Sequence, residues 1–437
     1  MRFGLSRLRQ SRLSGALASL YSLYIVNNLC PLVLIPYLAR MLGPEAWGQY
    51  VFADASARVL QTLVEYGFHL SGTREVAANA GRGEARARTV SGVLGVQLIL
   101  AACAVAALFL FAMWIPPFRN AARLLPGAAL WAVCTAMCPL WYFQGVERLP
   151  RMVAVDMVTK IAGLAGILWL VRQPADNWKV LTIQGGFALA SLGLGYWLVF
   201  REVRPVVPGV KAVMDSLRSG RALFLSRASV LLYTVASPVI ASFCVGAREV
   251  GYFAAADRIC RAAVNSLHPM NQAFYPRIVQ MNELGRRLAA RFACKAGGVM
   301  LAYNAISSAV LFFGAEPLVR IVAGEGYAAS AGVLRILALV PVANAISNLL
   351  GLQWMVALHM DRAYLAVTVC AGLANLALMP RLSGALGLAG LAWAVVTAEV
   401  AAAAAVCGTL ALLGADPVRE AFRSPGSSPA MDGSQPC

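Results

Sequence analysis

The chain has 437 residues, 59% of them hydrophobic and only 13% charged, with a mean hydropathy of +0.68. Soluble domains carry about 45–50% apolar and about 25% charged residues, so a soluble enzyme, a disordered chain and a secreted disulfide scaffold are excluded. The net charge of +17 would indicate nucleic acid in a soluble protein, but in a membrane protein cytoplasmic loops collect Lys and Arg, so no nucleic acid is required.

A helix needs about 20 mainly apolar residues to cross a bilayer. The first 25 residues imitate a signal peptide: Arg2, Arg7, Arg9 and Arg12 precede an apolar run. That run continues through Asn27, Asn28 and Pro31 to Tyr37, too long for a removable segment. It reads as a retained first span over 14–38, in which Tyr24, Asn27, Asn28 and Pro31 either line a polar cavity or mark a kink, the kink being the favoured reading. The remaining spans are predicted at 46–69, 90–115, 123–144, 150–171, 179–200, 222–245, 250–274, 296–318, 329–356, 363–380 and 386–413. The predicted fold is therefore all-α and polytopic, with twelve transmembrane helices.

Twelve spans put both termini on one side. Of the 37 basic residues, 23 fall on the side of the termini, 8 on the other and 6 within spans. The basic side is cytoplasmic, which places both termini inside.

Two segments align without a gap at an offset of 203 residues, Gly43 to Arg58 and Gly246 to Arg261. Gly43, Gly48, Ala53, Asp54 and Arg58 match Gly246, Gly251, Ala256, Asp257 and Arg261. Six spans separate the copies, so both halves share one orientation, a repeat pattern of secondary transporters. The predicted organisation is an N-terminal six-helix lobe (1–200), a basic cytoplasmic linker (201–221), a C-terminal six-helix lobe (222–413) and a disordered tail (414–437).

Ionisable residues inside spans are costly and normally face a bundle interior or an aqueous cavity. The second span carries Asp54, Arg58, Gln61 and Glu65 on one stripe, and the eighth carries Asp257, Arg261, Asn265, His268 and Gln272. The fifth adds Asp156 and Lys160. All three acid–base pairs put the acid four residues before the base, the favoured order for an intrahelical ion pair. Either the pairs are structural, each offsetting its own insertion cost, or they line a polar cavity between the lobes. Arg227 and Arg258 have no acid one turn away, while Arg335 lies near a span end. Glu399 stands alone in an apolar stretch, as a proton carrier or as the structural partner of another helix. The candidate anion-binding surface is Arg58, Lys160, Arg227, Arg258 and Arg261; the candidate coupling or pairing acids are Asp54, Asp156, Asp257 and Glu399.

No P-loop, GxSxG, HExxH or dinucleotide fingerprint occurs, so no enzymatic activity or cofactor is expected. Most of the 10 Cys lie in apolar runs and read as small buried hydrophobes. Cys134 and Cys138 share a helix face, but no neighbouring His or second Cys pair completes a metal site.

The segment Pro36 to Glu45, followed by Gly48, Tyr50 and Phe52, resembles the opening signature of bacterial polysaccharide flippases. The likeness continues through Glu65-Tyr66-Gly67-Phe68 and Ser71-Gly72-Thr73-Arg74-Glu75, and in the second half through Glu249 to Phe253, Ala255 to Ile259 and Tyr275-Pro276-Arg277. The chain thus resembles the Wzx-type O-antigen flippases of the multidrug/oligosaccharidyl-lipid/polysaccharide exporter superfamily over residues 14–413. It departs from their pattern at Gly72, where Ala is usual, and in its Pro/Ser-rich tail. The resemblance implies a bacterial inner-membrane flippase working by alternating access. Its cargo would be an undecaprenyl-pyrophosphate-linked oligosaccharide, moved from the cytoplasmic to the periplasmic leaflet for surface polysaccharide synthesis. Its partners would be membrane lipids and the polymerase and glycosyltransferases of the same pathway. The alternative within the superfamily is a multidrug or metabolite/cation antiporter coupled through Asp54. A peptidoglycan-precursor flippase would have fourteen helices, and a membrane transferase or polymerase would carry a large outer loop.

Overall fold

The computed structural model describes residues 2–79, 81–234 and 236–422, with side chains described from residue 30 onward except at 222, 223 and 225–236. Among the described residues every regular element is a helix, the form in which a chain in lipid satisfies its own backbone polar groups. Among the described residues eight helices are long and apolar enough to cross a membrane: Gly83–Trp114, Leu125–Gly145, Leu149–Leu170, Pro174–Glu202, Arg286–Phe313, Glu325–Met355, Asp361–Leu386 and Leu388–Leu412. They coincide with the third to sixth and ninth to twelfth predicted spans. The other four predicted spans fall on helices that are more polar or only partly described. Large apolar side chains such as Leu110, Trp114, Phe313 and Leu412 stand exposed on the outside of the bundle, where lipid tails would cover them.

The first two predicted spans form one helical run, α1 (Arg2–Glu65), whose backbone keeps helical dihedrals at Pro31 and leaves them at Gly43 (φ 69, ψ 172). Only glycine takes that conformation without a Cβ penalty, and Pro44 then starts the next helix, where its missing N–H costs nothing. The break therefore lies at Gly43, between the first two predicted spans. Tyr24, Asn27 and Asn28 lie outside the described side chains.

The second span ends earlier than predicted. Tyr66 and Gly67 take positive φ of 49° and 79°, and a separate helix, Phe68–Ala78, follows. The eighth span breaks in the corresponding place: α2 (Ala247–Asn265) gives way to a second helix, His268–Leu284. Hydropathy alone ran each pair together because the residues on either side of the turn are similar in polarity. Residues 415–422, expected within the disordered tail, are packed on the second half. Pro417–Phe422 is helical, Trp354 Nε1 donates to the Ala415 carbonyl at 2.7 Å, and Arg286 pairs with Glu420 at 3.4 Å. Residues 423–437 lie outside the described residues.

Buried apolar side chains fall into three main clusters. One, including Phe68, Trp141, Phe143 and Val199, draws almost wholly on the first half of the chain; another, including Ile278, Ala293, Trp354 and Leu410, draws on the second. The largest cluster joins both halves, packing Leu38, Trp47 and Phe52 with Val250, Phe253, Leu334 and Leu391. It gathers the helix ends nearest Gly43 and Gly246. Burial of this much apolar surface, at about 25 cal/mol per Å², fastens the halves at that end, while at the other end each half has its own core.

Candidate functional site

The helix that starts at Pro44 turns Trp47, Tyr50, Asp54, Arg58 and Gln61 toward a cavity of about 440 Å³. Their spacings of 3, 4, 4 and 3 keep them on one face at 3.6 residues per turn. Facing walls come from Trp131 and Cys134 on α-helix Leu125–Met137, Asp156 and Lys160 on Leu149–Leu170, and Gln184 on Asn177–Glu202. One cation, Arg258 of α2, enters from the second half.

Asp54 is the junction of this site. Arg58 holds it in a fork, Nε to Oδ2 at 3.1 Å and an Nη nitrogen to Oδ1 at 3.3 Å. The Arg258 guanidinium approaches the same Oδ2 to 3.5 Å. Lys160 pairs with Asp156 at 2.7 Å. Each arginine is backed by an indole, Arg58 over Trp131 at 5.4 Å and Arg258 over Trp47 at 4.9 Å, an arrangement that attracts a cation to the ring face. The Asp54 side chain is 7% exposed, against 49% for Arg58 and 39% for Lys160. The carboxylate is sunk in the wall while the cations reach into the space. Three bases against two acids leave the cavity with one surplus positive charge.

The structure therefore brings Arg58, Lys160 and Arg258 together. Arg261 sits apart, bonded to Asp257 at 2.7 Å in a smaller cavity of about 200 Å³ in the second half. Glu399, His268, Asn344 and Asn348 share that space. Gln272, expected on the same stripe, is exposed. Asn271 takes its place because the helix breaks before His268, and it accepts a hydrogen bond from Gln353 Nε2 at 2.8 Å. Glu65 pairs with His69 at 3.3 Å, outside the first cavity, and Arg335 pairs with Glu316 at 2.9 Å. Arg227 lies outside the described side chains. Arg258 does not stand alone as its sequence neighbours indicate: its partner is Asp54, in the other half. Sequence reading also missed Trp47, Tyr50 and Trp131. The first two share a face with Asp54 and were legible by spacing; Trp131 carried no signal.

The end of the molecule beyond this cavity is closed by the two repeat copies. A Cβ on Gly48 would lie 1.8 Å from the Ala247 carbonyl oxygen and 2.9 Å from the Gly251 nitrogen; one on Gly251 would lie 1.9 Å from the Pro44 carbonyl oxygen. The two glycines are equivalent positions of the repeat and face each other. Beside this seam Tyr327 donates to the Ala39 carbonyl at 2.9 Å, and Arg40 donates to the Ile321 carbonyl. At the opposite end the principal tie is the helix Val210–Thr234, whose first turns lie on the first half, with Ala212 and Ser216 against Gly92.

The family described as "Polysaccharide biosynthesis protein" matches residues 16–282. A protein of Escherichia coli (strain K12) named "Putative O-antigen transporter" is 28% identical over 355 residues, 81% of this chain and 86% of its own length. One of the same name from Shigella dysenteriae is 28% identical over 344 residues, 77% and 84% of the two chains. Among solved structures, "Lipid II flippase MurJ, inward closed conformation" superposes with a TM-score of 0.68 at 12% identity, over 93% of this chain and 90% of that one. "Inward-facing conformation of a multidrug resistance MATE family transporter of the MOP superfamily" gives 0.61 at 15% identity, over 88% and 98%. At these identities the structural likeness establishes the fold.

Proposed function

The chain belongs to the polysaccharide biosynthesis protein family, and from that premise we propose that it flips an undecaprenyl-pyrophosphate-linked oligosaccharide across the bacterial inner membrane. It is a multi-pass membrane transporter and not an enzyme. In this reading twelve helices form two six-helix lobes, 1–200 and 222–413, joined by the linker 201–221 and related by an axis along the membrane normal. The facing of Gly48 and Gly251, one repeat apart, supports such an axis. Basic residues crowd the linker end, which supports a cytoplasmic placement for it and for both termini. The lobes meet at the Gly43 end, so this state opens to the cytoplasmic leaflet.

The observation that carries the proposal is the cationic cavity of Arg58, Lys160 and Arg258. Charge-assisted hydrogen bonds from arginine to phosphate are strong, and a pyrophosphate entering from the inner leaflet would meet all three cations. The prenyl tail stays in the bilayer, so the cavity encloses only the polar head. Arg261 and Arg227 belong to the same proposed surface once the lobes rock, and Asp156, Asp257 and Glu399 serve as its pairing or coupling acids. Release outward hands the cargo to a polymerase supplied by glycosyltransferases on the cytoplasmic side.

A deletion strain should accumulate lipid-linked repeat units whose sugars are reached only from the cytoplasmic leaflet. Leaflet-resolved labelling of extracted prenyl-linked glycans checks this. Equal labelling from both sides in the deletion strain would sink the proposal and favour a role in exporting some other solute.

A further inference from the structure

Asp54 is a buried carboxylate shared by guanidiniums from two halves of the molecule, Arg58 and Arg258. It lies about six residues, ~9 Å along the helix, below the glycine seam at Gly48. Its side chain is 7% exposed, and its two arginines stand at the cavity edge with Trp131 and Trp47 behind them. The arrangement is what a bound phosphate would make with the same two cations, with the carboxylate in the phosphate's place. Unlike the Arg58 fork, the Arg258 contact is a single approach at 3.5 Å. It is therefore the weaker half of the junction, and it is the half that crosses between lobes.

Resting on the flippase reading above, we propose that Asp54 is a built-in stand-in for the cargo anion. In the empty transporter it ties Arg258 to the first lobe and helps hold the glycine seam shut; an entering phosphate draws Arg258 off Oδ2, leaves the carboxylate in its Arg58 fork and so releases the seam. No bond is made or broken covalently: the phosphate replaces the carboxylate on Arg258, the cation of the second lobe. The energetics favour the exchange because a phosphate offers more acceptor oxygens and more charge than one carboxylate. The device also explains how an unloaded carrier avoids opening. A ligand shifts a conformational equilibrium only by its differential affinity for the two states, and here that difference is the cost of leaving Arg258 unpaired. A neutral or cationic solute entering the cavity cannot compete for the arginines and so leaves the tie in place. Selection for an anionic head group and control of the seam then fall to the same carboxylate.

The test uses the purified full chain in lipid nanodiscs, with dyes attached through encoded azide side chains at positions 45 and 325, both exposed near the seam and in opposite halves. The probe is geranyl pyrophosphate. Wild type should show one short-distance population when empty and gain a long-distance one on adding the probe. Asp54→Asn should populate the long state without probe and bind the probe about tenfold more tightly, because a competing charge has gone. Arg258→Gln should also open when empty but bind about tenfold more weakly, so the two variants separate loss of the tie from loss of the site. An Asp54→Asn protein that stays closed when empty, or that opens with unchanged affinity for the probe, overturns the displacement and leaves the flippase reading intact. Failure of wild type to bind the probe overturns both.

Discussion

Gly48→Val and Gly251→Val should each reduce surface-polysaccharide export more than tenfold while leaving most of the protein inserted in the membrane. A Cβ at either position would fall within 2 Å of a backbone carbonyl oxygen of the other half, and backbone cannot yield as a flexible side chain does. Overpacking inside a well-packed core costs about 1–3 kcal/mol; here the clash lies between the two halves, which in the proposed cycle move apart, so opening would relieve it. Each half keeps its own core cluster at the linker end, which is why folding should survive. In the proposed cycle, opening of the seam removes the state that faces the cytoplasmic leaflet, and cargo would no longer be collected. Gly186→Val and Gly193→Val are the controls, since a Cβ at either meets nothing within 4 Å. Export per inserted molecule is the readout, and control-like activity for both seam variants would refute the seam as a moving closure.

Arg58→Gln and Lys160→Gln should each lower export about 10- to 100-fold at limiting cargo. A hydrogen bond to a charged group contributes about 1.5–3 kcal/mol, and every 1.4 kcal/mol is a factor of ten in affinity. The two variants leave different debris. Loss of Arg58 leaves Asp54 with Arg258, so abundance should hold. Loss of Lys160 strands Asp156, whose nearest cation was 2.7 Å away, and abundance should drop. Removing both charges with Asp156→Asn and Lys160→Gln should restore abundance but not export, which separates the structural part of the pair from its part in binding. Full export from that double variant would leave Lys160 as a packing residue only.

Much of this arrangement is written locally. The three acid–base pairs form because residues four apart on a helix are neighbours, and the repeat at Gly43 and Gly246 is visible as shared letters. What the sequence hides is tertiary. Arg258 has no acid within one turn, and nothing in its surroundings points to Asp54, 204 positions earlier. Arg261, three residues on and only about 60° round the same helix, looks equivalent to Arg58 by the repeat yet lines a different cavity, where it is bonded to Asp257. The breaks at Tyr66–Gly67 and after Asn265 escape hydropathy since both flanks are similar in polarity. Gly72, where the resembling family usually has Ala, reads as a trivial change until its neighbour is seen: a Cβ there would lie 2.7 Å from Trp141 Cε3. The small residue makes room for a buried indole.

Reconstitution tests the central claim most directly. The purified chain in liposomes carrying an undecaprenyl-pyrophosphate-linked oligosaccharide in one leaflet should bring the sugar within reach of an impermeant lectin or oxidant in the opposite leaflet. Arg58→Gln should slow this, and free undecaprenyl-pyrophosphate should compete. A wild-type protein that leaves the glycan on its original side, while moving a lipophilic cation against a proton or sodium gradient, would contradict the account and make the chain a cation-coupled exporter.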